Sequence, residues 1–520
     1  LVVQRIHAPR GAALMIAHIV RGAEAPLVGH LSRGSFARGT PCIYALFCLA
    51  RLAKRNQGML PMRLYCLPTD LGDHRLDDRC GRIRSRATTR PSASFPQMTD
   101  TDAECKALYR FLANERVDPA HLLDPHIEAT RKRISEHALV LVAHDTSEIT
   151  YGGEGRRPGL GLLPNGQGYL AHIALAILPG EERVPLGVIA AQTIFREKKL
   201  GSSEARRRAP DKESRRWYDV AHLAKERTGH TALIHLADRE ADSYESLARF
   251  VLGNSRFVIR LKYDRQAESG DGEQKSVFDL LACAPVVLER EVKLTRRSKK
   301  RPLGPRRSHP PRDGRTARVV ISAARVVLRR PKRRAQKLPA TIGLNVVRVY
   351  ESDPPPDEER VEWYLHTTEP IDTVEQVAAV VNYYRARWTI EEFFKALKTG
   401  CALEKRQVEC RRSFENTLAL FIPIAWRLLL FRSLARLQNP PSAAHVLNAT
   451  QREVLEAVQR NQLPVDATAA QALLAVAALG GHLKRNGEPG WQVIGRGYEK
   501  LLLLQQGWLA ARGHAESGQS

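Results

Sequence analysis

Tyr384-Arg385-Ala386-Arg387-Trp388-Thr389-Ile390-Glu391-Glu392-Phe393-Phe394-Lys395-Ala396-Leu397-Lys398 carries more information than any other stretch of this chain. Neither Pro nor Gly occurs from 377 to 399, good helix formers fill the second half, and Gly400 stands where a helix would stop. The spacing predicts one continuous helix. At about 100° per residue, Tyr384, Arg387, Glu391 and Lys398 fall within roughly 60° of one another. Ile390, Phe393 and Leu397 share a different face. One side is thus a core stripe, and another lines up a phenol, a guanidinium, a carboxylate and an ammonium. A carboxylate flanked by cations and a ring suits the handling of a phosphodiester. A solvated face of ordinary i,i+4 charge pairs would present the same residues, so the decision falls to the rest of the chain.

The chain has 520 residues, enough for about three domains. Lys and Arg number 81 against 56 Asp and Glu, a formal net charge of +25. Such an excess points to a polyanionic partner, most simply nucleic acid. The basic residues are spread along the chain rather than gathered in one amphipathic helix, which argues against a membrane surface. Eight cysteines show no CxxC pair and no His spacing typical of zinc. They read as reduced thiols of a cytosolic protein. The apolar run 42–50 is about half of a bilayer span, and no cleavable signal is evident, so a soluble, cytoplasmic protein is expected.

Residues 1–66, punctuated by Gly and Arg, read as an extension outside the folded machine, with Met62 a candidate start. Residues 67–136 are helical and charged. Within them Lys106-Ala107-Leu108-Tyr109-Arg110-Phe111-Leu112 forms a short amphipathic helix, whose Tyr109 and Arg110 suit DNA-end recognition as well as plain packing. An α/β section spans 137–263, with strands over 138–143, 169–178, 184–195, 232–237 and 256–262 and helices over 215–228 and up to 251. This pattern predicts a mixed sheet with helices on its faces. Residues 264–360 hold short strand-like runs around a basic, Pro-rich stretch at 296–318, which reads as a β-rich insertion with a solvated polycationic loop. The α/β pattern resumes over 361–412 and carries the helix quoted above. Residues 413–520 read as helical, broken at Gly480-Gly481 and Pro489-Gly490.

Asp145 and Asp238 each stand at the C-terminal end of an apolar strand, and Glu391 stands on the polar helix face. Singly, an Asp after a strand is more often a turn or cap residue. Two of them with a helical Glu in a strongly basic chain form a hard oxygen set suited to Mg²⁺ or Mn²⁺. Two such ions would activate the attacking oxygen and stabilise the leaving one at phosphorus, so the reaction class is metal-dependent phosphodiester cleavage or transfer.

These residues resemble the bacterial cut-and-paste DDE transposases of the insertion-sequence-four type, the group that includes the Tn-five transposase. The signature Y-x2-R-x3-E-x6-K stands as Tyr384, Arg387, Glu391 and Lys398; the DREAD motif stands as Asp238 to Asp242; the usual Q-D-T-T stands as His144-Asp145-Thr146-Ser147. The resemblance covers about 71–504. It implies an α/β, RNase H-like catalytic core with a β-rich insertion, preceded by a small helical DNA-binding domain and followed by a helical C-terminal dimerisation region. It implies that Asp145, Asp238 and Glu391 are the catalytic, metal-binding triad for a pair of Mg²⁺ or Mn²⁺ ions. It further implies nicking of the transposon end, hairpin formation and joining to target DNA by a homodimer. Trp363 would stack on a flipped base. Tyr384, Arg387 and Lys398 would hold that nucleotide's phosphate, and Arg260, Lys262 and Lys395 would contact DNA. His144 and Ser147 depart mildly from the motif, and Gln407 stands where a relative carries a basic residue, beside Lys405 and Arg406.

Overall fold

Each helix of the first section begins at a residue able to hold a free backbone amide. Asp73 caps α1 (His74–Thr89), Ser94 and Gln97 form a reciprocal box on α2 (Phe95–Met98), Thr101 caps α3 (Asp102–Ala113), and Asp118 caps α4 (Pro119–Ser135). A computed structural model describes residues 69–517 of the chain, apart from 154, 198–212, 270–271, 297–311, 332–337, 459–462, 484 and 486. The extension expected at 1–66, the run at 42–50 and most of the basic stretch 296–318 lie outside the described residues. Residues 290–318 and 356–358 belong to a smaller unit, in which Arg315 pairs with Glu358 at 2.7 Å. Everything else described here belongs to the larger unit.

The α/β section follows the expected order. Strands β1 (Leu139–Tyr151), β2 (Gly161–Leu163), β3 (Gly166–Ile177) and β4 (Pro185–Ile194) form an antiparallel set. Helix α5 (Arg216–Thr228) leads to β5 (Ala232–Ala237), and α6 (Tyr244–Leu252) leads to β6 (Arg256–Arg260). Strand β1 runs parallel to β5, and β5 parallel to β6. Their inward residues (Val140, Val142, Ile234, Leu236, Val258) are fully buried, as the apolar runs require of strands covered on both faces.

The insertion supplies β7 (Gln266–Ser269), β8 (Gln274–Ser276), α7 (Val277–Cys283), β9 (Val286–Leu294), β10 (Arg315–Arg329) and β11 (Thr341–Glu351), and β12 (Glu362–Thr367) follows it. The path β2-β3-β1-β5-β6-β12-β11-β10-β7-β8 is a single hydrogen-bonded sheet. Strand β12 pairs with β6 on one side and β11 on the other, so the sheet crosses the expected domain boundary without a break. Where short strand-like runs were expected, residues 315–329 form one strand, in which Ser322 and Ala323 keep the ladder to β11.

Two expectations about the key segments are corrected. The first strand does not end at Ala143. The apolar run stops there, but Thr146, Ile149, Thr150 and Tyr151 favour extended backbone and continue the pairing with β3, so Asp145 sits mid-strand. The helix expected over 377–399 is interrupted. Helix α8 (Val374–Ala386) ends at Arg387, and the amides of Arg387, Ile390 and Glu391 bond three residues back. Helix α9 (Thr389–Lys395) then runs into a π turn over Ala396–Gly400.

Helix α10 (Arg411–Ala435) is long and apolar enough to cross a membrane, yet Phe414, Phe421, Ile422, Ala425 and Leu428 are buried inside the protein, as in a central core helix. Against it packs α12 (Ala469–Leu479), which in turn packs on α13 (Trp491–Ser517), and α13 holds α11 (Ala449–Val458). Helices α12 and α13 approach closely through glycines. A Cβ on Gly497 would lie 1.9 Å from the Val476 carbonyl, and one on Gly480 2.0 Å from that of Val493. Buried Arg406 donates to the Pro91 carbonyl at 2.5 Å and the Cys401 carbonyl at 2.8 Å, with its guanidinium over Phe421. It therefore fastens the first helices to the core and is not one of the DNA-facing cations read from sequence.

Candidate active site

The parallel register of β1 and β5 pairs Val142 with His235 and Ala143 with Leu236. The ladder ends there; two residues further along each chain stand Asp145, still within β1, and Asp238, just past β5. Asp238 lies just past β5, where its carboxylate accepts from the Glu240 amide at 2.8 Å. Glu391 reaches the pair from α9 through Arg387. The guanidinium bonds Glu391 at 2.6 Å and lies 3.7 Å from Asp145.

The electrostatics report the same convergence. Burial pushes the Asp145 carboxyl up to about 7; Arg387 and the Thr146 amide oppose this, while Asp238 and Glu391 reinforce it. Burial alone would depress Arg387, but Tyr384, Asp145 and Glu391 together raise it. Burial raises the Tyr384 phenol against the pull of Arg387 and Arg260, with Asp238 adding to the rise. Five of the residues singled out from sequence (Asp145, Asp238, Tyr384, Arg387 and Glu391) therefore form one cluster, joined by Arg260 at the end of β6.

Trp363 stands beside this cluster on β12, half-buried and edge-on to Tyr384 with ring centroids 5.6 Å apart. Arg260 donates to the Glu362 carbonyl at 3.2 Å. Lys262 is exposed, and its backbone amide is held by Asp242 at 2.6 Å. Lys398 does not line up with Glu391. The π turn re-aims it, so it donates to the Glu148 carbonyl on β1 and pairs with Glu404 at 3.3 Å. Lys395 pairs with Glu392 at 2.8 Å and lies over the exposed Trp388 ring. Tyr109 and Arg110 are on α3, apart from the cluster: Tyr109 packs edge-on against Phe95, while Arg110 is exposed.

Three carboxylates within electrostatic reach form the hard oxygen donor set that a divalent cation takes, so the residue types fit such an ion. Among the described residues no three His, Cys, Asp or Glu side chains converge tightly enough to enclose one, and Glu391 is bonded to Arg387 instead.

Residue periodicity did not reveal the polar layer behind the aspartates. His144 on β1 bonds His235 on β5 at 2.9 Å, and Thr146 bonds His172 on β3 at 2.8 Å. All three imidazoles are buried, and burial holds them well below the ordinary histidine range. The available signal was a histidine in the middle of each of three apolar strands.

Residues 66–117 match the family described as transposase DNA-binding, and residues 211–423 match the transposase DDE domain. The chain thus carries the two domains of a DDE transposase. The first match contains Tyr109 and Arg110; the second contains Asp238 and Glu391 and begins after Asp145. Among solved structures, the chain is similar to a piggyBac transposase synaptic complex with hairpin DNA, at 11% identity and a TM-score of 0.29. That likeness covers 68% of this chain and 65% of the other, and carries no argument.

Proposed function

We propose that this chain is the transposase of a bacterial insertion sequence, of the insertion-sequence-four type and similar to the Tn-five transposase. It binds the element's terminal inverted repeats and carries out cut-and-paste transposition in the cytoplasm, associated with the nucleoid when on DNA. The observation that carries the reading is Arg387 standing between Asp145 and Glu391, with Asp238 close enough to raise the Asp145 carboxyl. An antiparallel meander followed by two parallel strands supports an RNase H-like core.

Asp145, Asp238 and Glu391 would hold Mg²⁺ or Mn²⁺, two ions per site. Bound there, the ions supply a polarised phosphoryl oxygen and an activated attacking oxygen. The protein's own groups do the rest. Arg387 and Arg260 present positive charge beside the carboxylates, and Tyr384 adds a phenolic donor, so a phosphodiester can be oriented by charge-assisted hydrogen bonds. Exposed Lys262 and Lys395 extend the positive surface along the backbone, and Lys398 would join them on release from Glu404. Trp363 offers a ring face to an unstacked base, which suits a hairpin intermediate. Two copies pair the two transposon ends.

A labelled duplex carrying the inverted repeats that flank the gene, incubated with purified protein and Mg²⁺, tests the reading. Hairpin-ended excision products are expected. Nicks without hairpins would reduce the protein to a nuclease, and gel shifts without cleavage would reduce it to a DNA-binding repressor. Glu391→Ala should lower cleavage by more than about a hundredfold, beyond the usual cost of losing an outer-shell group, while the gel shift persists. Survival of cleavage with unaltered metal dependence would remove Glu391 from its role.

A further inference from the structure

Arg216, the first residue of α5, is fastened to the flanks of both catalytic aspartates. Its Nε donates to Thr146 Oγ1 at 2.8 Å, Nη2 to Glu240 Oε2 at 2.9 Å, and Nη1 to the Glu213 carbonyl at 2.7 Å. Thr146 directly follows Asp145. Glu240 lies two residues past Asp238 and donates its amide to that carboxylate at 2.8 Å. A single guanidinium thus bridges the backbone segments that carry the two carboxylates.

The anchor points are themselves held. Thr146 bonds His172 Nδ1 at 2.8 Å, and His172 meets Trp217 edge-on at 4.8 Å. Glu213 is gripped by Arg196 through two bonds of 2.5 and 2.7 Å. The Arg216 side chain is only 9% exposed, so it is closed off from a DNA backbone. The Glu240 arm, at 60% exposure, is the solvent-screened one, and the part-buried Thr146 arm is the better shielded. Only arginine supplies donors in three fixed directions from one plane; lysine has a single nitrogen on a flexible stem.

We propose that Arg216 is a positioning residue that sets the spacing of Asp145 and Asp238, and through it the affinity of that pair for a divalent cation. The proposal rests on the metal-dependent reading given above. Asp145 is held by the ladder of β1 to β3, whereas Asp238 lies past β5, beyond the last pair of the β1–β5 ladder. Their oxygen-to-oxygen distance therefore depends on the loop after β5, where the ladder has ended. Arg216 ties that loop to β1.

The test uses the full chain with Mn²⁺ alone, titrated by calorimetry and by the paramagnetic resonance signal of free Mn²⁺, with circular dichroism confirming the fold. Wild-type binding should be lost in Asp145→Asn. Arg216→Gln should weaken Mn²⁺ binding by about ten- to a hundredfold, the usual consequence of removing an outer-shell support. Arg216→Lys should recover only part of it, and Thr146→Val, which removes the better-shielded arm and keeps the guanidinium, should fall between. A role limited to anchoring α5 would lower the melting temperature and leave Mn²⁺ affinity alone. Folded Arg216→Gln with affinity within about twofold of wild type overturns the proposal. Should Arg216→Gln not fold, the same wild-type-like affinity in Thr146→Val overturns it equally. Wild-type protein whose Mn²⁺ binding is absent or indifferent to Asp145→Asn overturns the metal reading itself, and this proposal with it.

Discussion

Glu391 and Glu392 are neighbours of identical chemistry with opposite assignments, and one step of about 100° around a helix separates them. Glu391 faces Arg387 and the aspartates. Glu392 faces away, toward Lys395 at 2.8 Å, Arg432 at 2.5 Å and the Trp491 indole at 3.0 Å. Trp363 shows the same dependence on direction. Its edge-on contact with Tyr384 holds the ring beside the cluster while leaving it half-exposed. Trp363→Ala should therefore spare nicking yet reduce hairpin formation about tenfold or more, given roughly 1–3 kcal/mol per stacked base. The two steps separate on a denaturing gel, and an equal loss of both would count against the stacking role.

At the scale of elements, the Glu-bearing helix α9 is short, bounded by a kink at Arg387 and by the π turn, and cannot hold its aim alone. The Glu392–Arg432–Trp491 network locks it to α10 and α13, with the Arg432 guanidinium 4.6 Å from the Trp491 ring centroid. Arg432→Ala removes the more buried of the two cations on Glu392 and should destabilise the protein by about 3 kcal/mol, the upper end for a bond between charged groups. Trp491→Phe, which removes one hydrogen bond to a charged group, should cost about 1.5 kcal/mol. Denaturant unfolding measures both, and near-equal effects would mean the network is not organised around Arg432. Composition foretold α9 but not its interruptions. Around the kink Ile390 and Phe393 are buried and Arg387 lies 3.7 Å from Asp145, and neither contact is a local property of the sequence. Strand β5 shows the opposite case: a six-residue apolar run bounded by turn residues could be little else, and Ala232–Ala237 appears as read.

For the molecule as a whole, the buried histidines set the response to acid. His126 and His235 are held at about 3 and His366 at about 4, in each case first by burial, and His144 and His172 lie well below the ordinary range for the same reason. The unfolded chain takes up these protons near pH 6.5, whereas the native state refuses them until far lower pH. Stability is thus present above about pH 6.5 and is lost as pH falls toward 4, each histidine adding up to about 1.4 kcal/mol per pH unit. Asp145, raised to about 7, runs the other way, one group against five. Melting temperature followed from pH 7.5 to 4.5 should drop steeply, and a flat profile would contradict neutral buried imidazoles. The order of the core strands was legible because each strand is bounded by a change of hydropathy pattern, and that same change singled out Asp145 and Asp238. The histidine layer and Arg216 were not, since their meaning lies in contacts across three strands and a helix.

Strand β12 has one further meaning. Because it is laddered to β6 on one edge and β11 on the other, the α/β strands and the inserted strands share a common plank. A chimera joined at residues 264 and 360, the cut that sequence alone suggests, would graft foreign strands against a resident neighbour and expose a raw edge wherever their pairing failed. Transplants between relatives that carry Glu362–Thr367 along with the donor's β11 keep that seam intact, so the two strands should be exchanged together.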